Sequence, residues 1–395
     1  MTVPRRTRIL IVDDSAVMRS LLRSVVATDP DFEVAGTAGD GASALNLLQT
    51  SQPDIILLDV EMPVMDGLAT LRALRQQWRK IPVIMCSSLT QRGAKVTIEA
   101  LAYGAADYVA KPSGQSDRET ALRKLAKELL PKIHALTSPP KEASLRTQRP
   151  FASVLPRDSN GPGTVLPGTP GFMARNPIAF QPITSTPSIV LIGVSTGGPA
   201  ALDVLLPALP ERFPLPILIV QHMPELFTRI LADRLNSRCR LRVREASDGD
   251  PIRPGSVYIA RGNWHMEAVA AALPKSPTAL RLNQDPQENH CRPSVDVLFR
   301  TAANIYGAGV LAIVLTGMGS DGLNACRKIR ELGGAVLAQD EATSTVWGMP
   351  GAVTNAGLAN KVLPLEMIAP EILRITSHAS ASVPPSHDFT GQAVS

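Results

Sequence analysis

A chain of 395 residues exceeds what one ordinary hydrophobic core serves, so two or three domains are expected. Hydrophobic residues make up 44% and charged residues 19%, no apolar run approaches the ~18 residues of a membrane span, and MTVPRRTRIL passes straight into a strand pattern, so a cytoplasmic protein without membrane insertion is expected. The net charge of +5 is carried by Arg5, Arg6 and Arg8 and by the segment 137–187, which leaves no basic folded face and argues against nucleic acid as a partner.

The first 128 residues alternate apolar runs with helical periods. Ile9 to Val12, Phe32 to Ala35, Ile55 to Leu58, Val83 to Cys86 and Tyr108 to Ala110 read as strands. Between the first two, Ser15 to Ala27 reads as a helix with Val17, Met18, Leu21, Leu22 and Val25 on one face. Such alternation implies an α/β fold, a doubly wound parallel sheet with its functional residues at the carboxyl ends of the strands. Asp13 and Asp14 follow the first strand and Asp59 ends the third, so three carboxylates meet at one edge. Their mutual repulsion calls for a hard cation, and Mg²⁺ suits an all-oxygen site. Ser87 ends the fourth strand and Lys111 follows the fifth, which supplies the hydroxyl and ammonium that phosphorylation of Asp59 would need. The bland alternative is an acidic cluster capping helices.

Residues 137–187 hold ten of the chain's 34 prolines and no sustained apolar period, as expected of a linker between domains. Beyond it the alternation resumes, with Ile189 to Val194, Ile217 to Gln221, Val257 to Ala260 and Val310 to Thr316 as strands and Leu226 to Asn236 and Val295 to Asn304 as helices. A second α/β domain, Rossmann-like and with a mixed sheet, is expected over 188–377, followed by a disordered tail over 378–395. Cys86, Cys239, Cys291 and Cys326 form no CxxC pair and read as reduced thiols.

In LIGVSTGGP, Leu191 to Pro199, a strand runs into a glycine-rich turn with Ser195 at its apex. That placement suits an acyl-transfer nucleophile, although phosphate-cradling turns and simple helix caps look the same. Residues 188–377 hold three histidines. His222 follows the apolar strand Ile217 to Val220, whereas His265 and His290 fall in stretches that read as irregular and polar. In TGMGSDG, Asp321 lies in a glycine-rich loop after the strand Val310 to Leu315, where it could orient an imidazole or cap the helix after Gly322. Ser195, His222 and Asp321 together fill the roles of nucleophile, base and orienting acid. Their order along the chain differs from that of α/β-hydrolases.

VDDS at Val12 to Ser15, LLDVEMPVMDG at Leu57 to Gly67, SSL at Ser87 to Leu89 and YVAKP at Tyr108 to Pro112 resemble the receiver domain of two-component response regulators, over residues 6–128. The resemblance implies that Asp59 is the phosphoacceptor and that Asp13, Asp14, Asp59 and the Glu61 carbonyl hold Mg²⁺. It further implies that Ser87 and Lys111 read the phosphoryl group and that Tyr108 changes rotamer on activation.

Behind it, IGVSTGGP, VQHMP, RPSVDVLF at Arg292 to Phe299, LTGMGSDG at Leu315 to Gly322 and GMP at Gly348 to Pro350 resemble the chemotaxis protein-glutamate methylesterase family, CheB. That resemblance implies Ser195 as nucleophile, His222 as general base and acid, Asp321 as its orienter, and the N–H groups of Thr196 and Met318 as the oxyanion hole. No cofactor is expected in that site. The implied substrate is the γ-glutamyl methyl ester of chemoreceptors, with deamidation of receptor glutamines as a second activity and a chemotaxis histidine kinase as phosphodonor. Arg261 stands where the family usually has proline, and the linker is longer than usual for the family. Two other readings stay open: an amidase acting mainly on receptor glutamines, and a response regulator whose second half only binds a partner.

Overall fold

The computed structural model describes residues 5–112, 117–137, 182–270 and 278–380. Most of the expected linker and tail, 138–181 and 381–395, lies outside them. The first lobe contains β1 (Thr7–Val12), α1 (Ala16–Val26), β2 (Phe32–Ala38), α2 (Gly41–Ser51), β3 (Ile55–Asp59), α3 (Gly67–Gln77), β4 (Val83–Ser87), α4 (Gln91–Ala102), β5 (Asp107–Ala110) and α5 (Arg118–Thr137). Its five strands run parallel in the order β2-β1-β3-β4-β5, so the doubly wound expectation holds. Ser15 starts α1 by accepting the Met18 N–H at 3.3 Å. The helix buries Leu21, Leu22, Val25 and Val26, but Val17, expected on the same face, is 80% exposed. Its period is correct. It lies at the start of the helix, where residues 14–17 are all exposed at the carboxyl edge of the sheet, beyond the reach of the core.

The second lobe contains β6 (Ile189–Val194), α6 (Gly198–Leu205), β7 (Ile217–Gln221), α7 (Glu225–Arg238), β8 (Arg242–Glu245), β9 (Ser256–Ile259), β10 (His265–Val269), β11 (Ala279–Asn283), α8 (Val295–Tyr306), β12 (Val310–Val314), α9 (Leu323–Glu331), β13 (Ala335–Gln339), α10 (Met349–Asn355), β14 (Lys361–Leu363) and α11 (Leu365–Ser380). A mixed sheet was expected. Instead, all seven strands in the order β14-β13-β12-β6-β7-β9-β8 are parallel, and the antiparallel strand pair β10-β11 forms a separate ribbon. The central strands are buried on both faces, which is why they read as unbroken apolar runs such as Ile189 to Val194. His265, expected in an irregular stretch, opens β10 opposite Asn283 of β11 and is buried, its ring set 3.1 Å from Pro286 O and accepting the Ser294 N–H at 3.3 Å.

From β6 the chain winds towards β7 on one side, and β12 later returns on the other. A crevice at the carboxyl ends of β12, β6 and β7 follows from this reversal of winding. The two lobes share one apolar cluster, to which α4 of the first and α6 and α7 of the second contribute. Tyr108 of β5 stacks on Phe227 of α7 at 4.6 Å between ring centroids.

Ile192 lies fully buried at the centre of β6. Ile192→Ala is expected to destabilise the second lobe by about 2–5 kcal/mol, read as a lower urea midpoint at unchanged slope.

Candidate active site and phosphoryl site

Ser195 follows β6 directly, and its N–H donates to Thr316 O at 3.0 Å across the gap to β12. On the other side the ladder continues past the strands, with His222 N donating to Val194 O at 3.2 Å and Gln221 Nε2 to Ser195 O at 3.0 Å. Ser195 is therefore held between the end of β7, which His222 follows, and the glycine-rich loop. Gly197 turns the chain into α6 at φ 78°, in the left-handed region. Gly317 has no room for a side chain, since a Cβ there would come within 2.8 Å of Ser195 Cβ and 2.5 Å of Met349 Sδ. The Thr196 and Met318 N–H groups donate to no acceptor among the described residues.

Asp321 is 3% exposed and forms an ion pair with His222, Oδ2 to Nε2 at 2.8 Å. Its other partners are Asn289 Nδ2 at 2.7 Å, Ser294 Oγ at 2.8 Å, and the N–H groups of Val295 at 2.7 Å and Asp296 at 3.1 Å. The alternative of capping the helix after Gly322 is not what the fold builds: Gly322 is the N-cap of α9 and makes no side-chain bond. Asp321 instead receives the first N–H groups of α8, while Asp296 of α8 accepts the Ala325 N–H of α9 at 2.7 Å. The two helices exchange carboxylates.

Burial works against the charge on Asp321, but the hydrogen bond and charge of His222, with the Val295 N–H and Asn289, outweigh it and hold its pKa at about 2. Burial likewise opposes the imidazolium of His222. Asp321 and Cys291 overcome it and push the ring up to about 9. An ionised carboxylate only accepts, so Nε2 carries a proton and Nδ1 is the basic nitrogen of the neutral ring. Cys291 Sγ lies 3.7 Å from that nitrogen, and among the described residues no hydrogen bond joins Ser195 Oγ to the ring.

In the first lobe, Val12 is in register with Leu58, which brings Asp13 beside Asp59. Lys111 Nζ bridges them, 2.8 Å from Asp13 Oδ2 and 2.7 Å from Asp59 Oδ1. Burial and the neighbouring Asp13 charge raise the Asp59 pKa against the pull of Lys111. Carboxylate oxygens of Asp13, Asp14 and Asp59 lie within 4.8 Å of one another. Asp13 Oδ2 is buried and, among the described residues, is paired only with the Lys111 ammonium, and the donors are all oxygen, so the residues fit a hard cation. Ser87 is buried, donating to Ser88 O at 3.1 Å and accepting from Thr97 Oγ1 at 2.7 Å. The Glu61 N–H reaches Asp59 Oδ1 at 3.4 Å, and its side chain faces Arg92 at 3.6 Å. Tyr108 points into the contact between the lobes.

Several residues at the site were not singled out from the sequence. Asn289 and Ser294 position Asp321, and Asp296 pairs its helix with α9. Asn289 adopts φ 54°, which asparagine tolerates better than most residues, but no short motif marks it. Cys291 stands 69 positions from His222 in the chain. Thr196 donates its hydroxyl to Asp107 Oδ2 of the first lobe at 2.5 Å, a contact between lobes that only the assembled fold creates. Arg261 pairs with Glu225 at the start of α7 and lies 5.6 Å over the Trp264 ring.

A receiver-type lobe with an acidic strand-end cluster, packed on a parallel α/β lobe with a serine, histidine and aspartate at its strand ends, defines a regulated α/β enzyme. Comparison with known proteins specifies it further. A family model described as response regulator receiver domain matches residues 9–123, and one described as CheB methylesterase matches 190–372. A protein of Trichodesmium erythraeum named protein-glutamate methylesterase/protein-glutamine glutaminase is 45% identical over 93% of this chain and 98% of its own length. A Nocardioides protein of the same name is 44% identical over 96% of this chain and 98% of its own. The crystal structure of the Thermotoga maritima CheB methylesterase catalytic domain, 43% identical, covers 48% of this chain and 98% of its own, with a TM-score of 0.46. The chain belongs to the CheB family of receiver-linked protein-glutamate methylesterases. No helix among the described residues is long and apolar enough to cross a membrane.

Asp321→Asn removes the negative charge facing His222. The imidazole pKa is expected to fall from about 9 towards its ordinary 6.5, read from ring-proton NMR titration of wild type and variant. In the native protein the ion pair contributes stability above the ordinary carboxylate range. That contribution is lost as pH falls towards 2, or as it rises from 6.5 through 9.

Proposed function

We propose that this chain is a phosphorylation-activated hydrolase that releases methanol from γ-glutamyl methyl esters of chemoreceptors and deamidates receptor glutamines in chemotactic adaptation. The observation that carries this reading is the 2.8 Å His222–Asp321 pair at the strand end beside Ser195, in a chain whose relatives bear that activity in their names. The reading divides the chain into a receiver at 6–128, a linker at 137–187, a catalytic domain at 188–377 and a tail at 378–395.

Ser195 is the nucleophile. As its oxygen bonds to the ester carbonyl carbon, the hydroxyl proton passes to His222 Nδ1 and the carbonyl oxygen gains negative charge. The N–H groups of Thr196 and Met318 are free to meet that charge. His222 then returns the proton to the departing methoxide, giving methanol and an acyl-serine. Water, deprotonated by the same nitrogen, cleaves the acyl-serine to the carboxylate, and the serine recovers its proton. An amide substrate follows the same steps and loses ammonia. Asp321 stays ionised throughout and keeps the ring in one orientation.

Asp59 is the phosphoacceptor and Tyr108 the responding aromatic, with Ser87 and Lys111 meeting the phosphoryl oxygens. Asp13, Asp14, Asp59 and the Glu61 carbonyl would hold Mg²⁺, which when bound offsets the charge of carboxylates and phosphoryl group. A histidine kinase is the phosphodonor. In the unphosphorylated state the receiver covers the Ser195 crevice, through the Tyr108–Phe227 stack and the Thr196–Asp107 hydrogen bond. Phosphorylation weakens that interface.

The deciding experiment incubates the protein with methylated receptor, with and without a small phosphodonor, and measures methanol and ammonia together. Ser195→Ala is expected to lower turnover by at least ~10³-fold while receptor binding persists. Retained turnover would remove Ser195 from the mechanism. Asp59→Asn should abolish the rise with phosphodonor, and Asp107→Ala should raise the unstimulated rate. Because the base must be neutral, kcat/KM should climb with pH on a limb centred near 9.

A further inference from the structure

Cys291 makes or breaks no bond in the hydrolysis just described, yet its Sγ lies 3.7 Å from His222 Nδ1. A tetrahedral Zn²⁺ bound to sulfur at about 2.3 Å and to imidazole nitrogen at about 2.1 Å holds those two atoms about 3.6 Å apart. The pair therefore already stands at the separation that one cation imposes. The other ring nitrogen donates to Asp321 at 2.8 Å, the carboxylate–histidine arrangement that fixes the ring of a metal-ligating histidine and strengthens its free nitrogen as a donor. Ligand atoms of His222, Cys291 and Asp321 all lie within 4.8 Å of one another. His222 and Cys291 are both partly exposed residues, so a cation has an approach.

We propose that His222 Nδ1 and Cys291 Sγ form a binding site for a thiophilic divalent cation, typified by Zn²⁺, and that its occupancy turns the hydrolase off. Binding displaces the thiol proton to solvent and places the metal on the nitrogen that must accept the Ser195 proton. Thiolate and imidazole favour Zn²⁺ over Mg²⁺, whereas the Asp13, Asp14 and Asp59 cluster of the other lobe is all oxygen and favours the reverse. One chain thus separates two divalent cations by donor chemistry. The metal site rests on geometry alone, and only the inhibition rests on the hydrolase reading.

The test uses the full chain in excess Mg²⁺, which occupies the oxygen site, with Co²⁺ as a spectroscopic stand-in for Zn²⁺. Co²⁺ should give a thiolate-to-metal charge-transfer band in the near ultraviolet that saturates at one equivalent and is displaced by Zn²⁺. The band should vanish in Cys291→Ser and in Cys291→Ala, two variants that guard against one failing to fold, with circular dichroism confirming structure. Zn²⁺ at saturation should suppress methanol release at least about tenfold, reversibly with chelator, and each variant should need at least about tenfold more Zn²⁺. Absence of the band in the wild type, or its survival in both variants, overturns the site. A band that behaves as expected while saturating Zn²⁺ leaves hydrolysis unchanged overturns the switch. A chain that binds Co²⁺ in this way but releases no methanol would instead refute the hydrolase reading and leave the metal site standing.

Discussion

A carboxylate taken out of water keeps its charge only if the protein replaces the water around it, and Asp321 is the carboxylate on which the second lobe converges. Five donors reach it, from His222, Asn289, Ser294, Val295 and Asp296. Each hydrogen bond to a charged acceptor contributes about 1.5–3 kcal/mol, enough together to offset the several kcal/mol that burying an ion costs. The donors come from the end of β7, the loop before α8 and the first turn of α8 itself. Ionising one side chain therefore ties three parts of the chain together at the crevice. Without that convergence His222 would be free to turn and which ring nitrogen is left basic would be undefined.

The same edge of the sheet carries the link to the receiver. Thr196, next to Ser195, gives its hydroxyl to Asp107, and Asp107 also receives Lys132 Nζ at 3.3 Å. Lys132 in turn donates to Tyr108 O at 2.6 Å. β5, which ends one residue before Lys111, thus presents Asp107 and Tyr108 to the catalytic lobe. The ammonium of Lys111 touches Asp59, so the acidic cluster and the serine turn lie at two ends of one short, rigid strand. A change of charge at Asp59 has a physical route to Thr196 through elements already in contact.

Much of this was legible in the residue order. Strands buried on both faces read as continuous apolar runs, and in a parallel sheet whatever follows such a run stands at the functional edge, which places Asp13, Asp59, Ser195, His222 and Asp321 there from residue order alone. Where reading failed, the cause lay outside the local pattern. Val17 has the right period but stands past the end of the sheet. His265 looks irregular until β11 pairs with it. The sheet expected to be mixed is wholly parallel, because periodicity carries no information on strand direction.

Residue order by itself determined the two α/β lobes, the acidic strand-end cluster of the first, and the identity of the serine, histidine and aspartate of the second. These depend on local patterns: hydrophobic period, strand ends and glycine turns. Tertiary structure decided which helix Asp321 serves, which ring nitrogen is left basic, that Asn289 and Ser294 hold the aspartate, that Cys291 faces the histidine, and that Thr196 is bonded to the receiver. Each is a contact between residues distant in the chain, set by strand order and by the need of buried polar groups for partners. Neither composition nor spacing records such contacts.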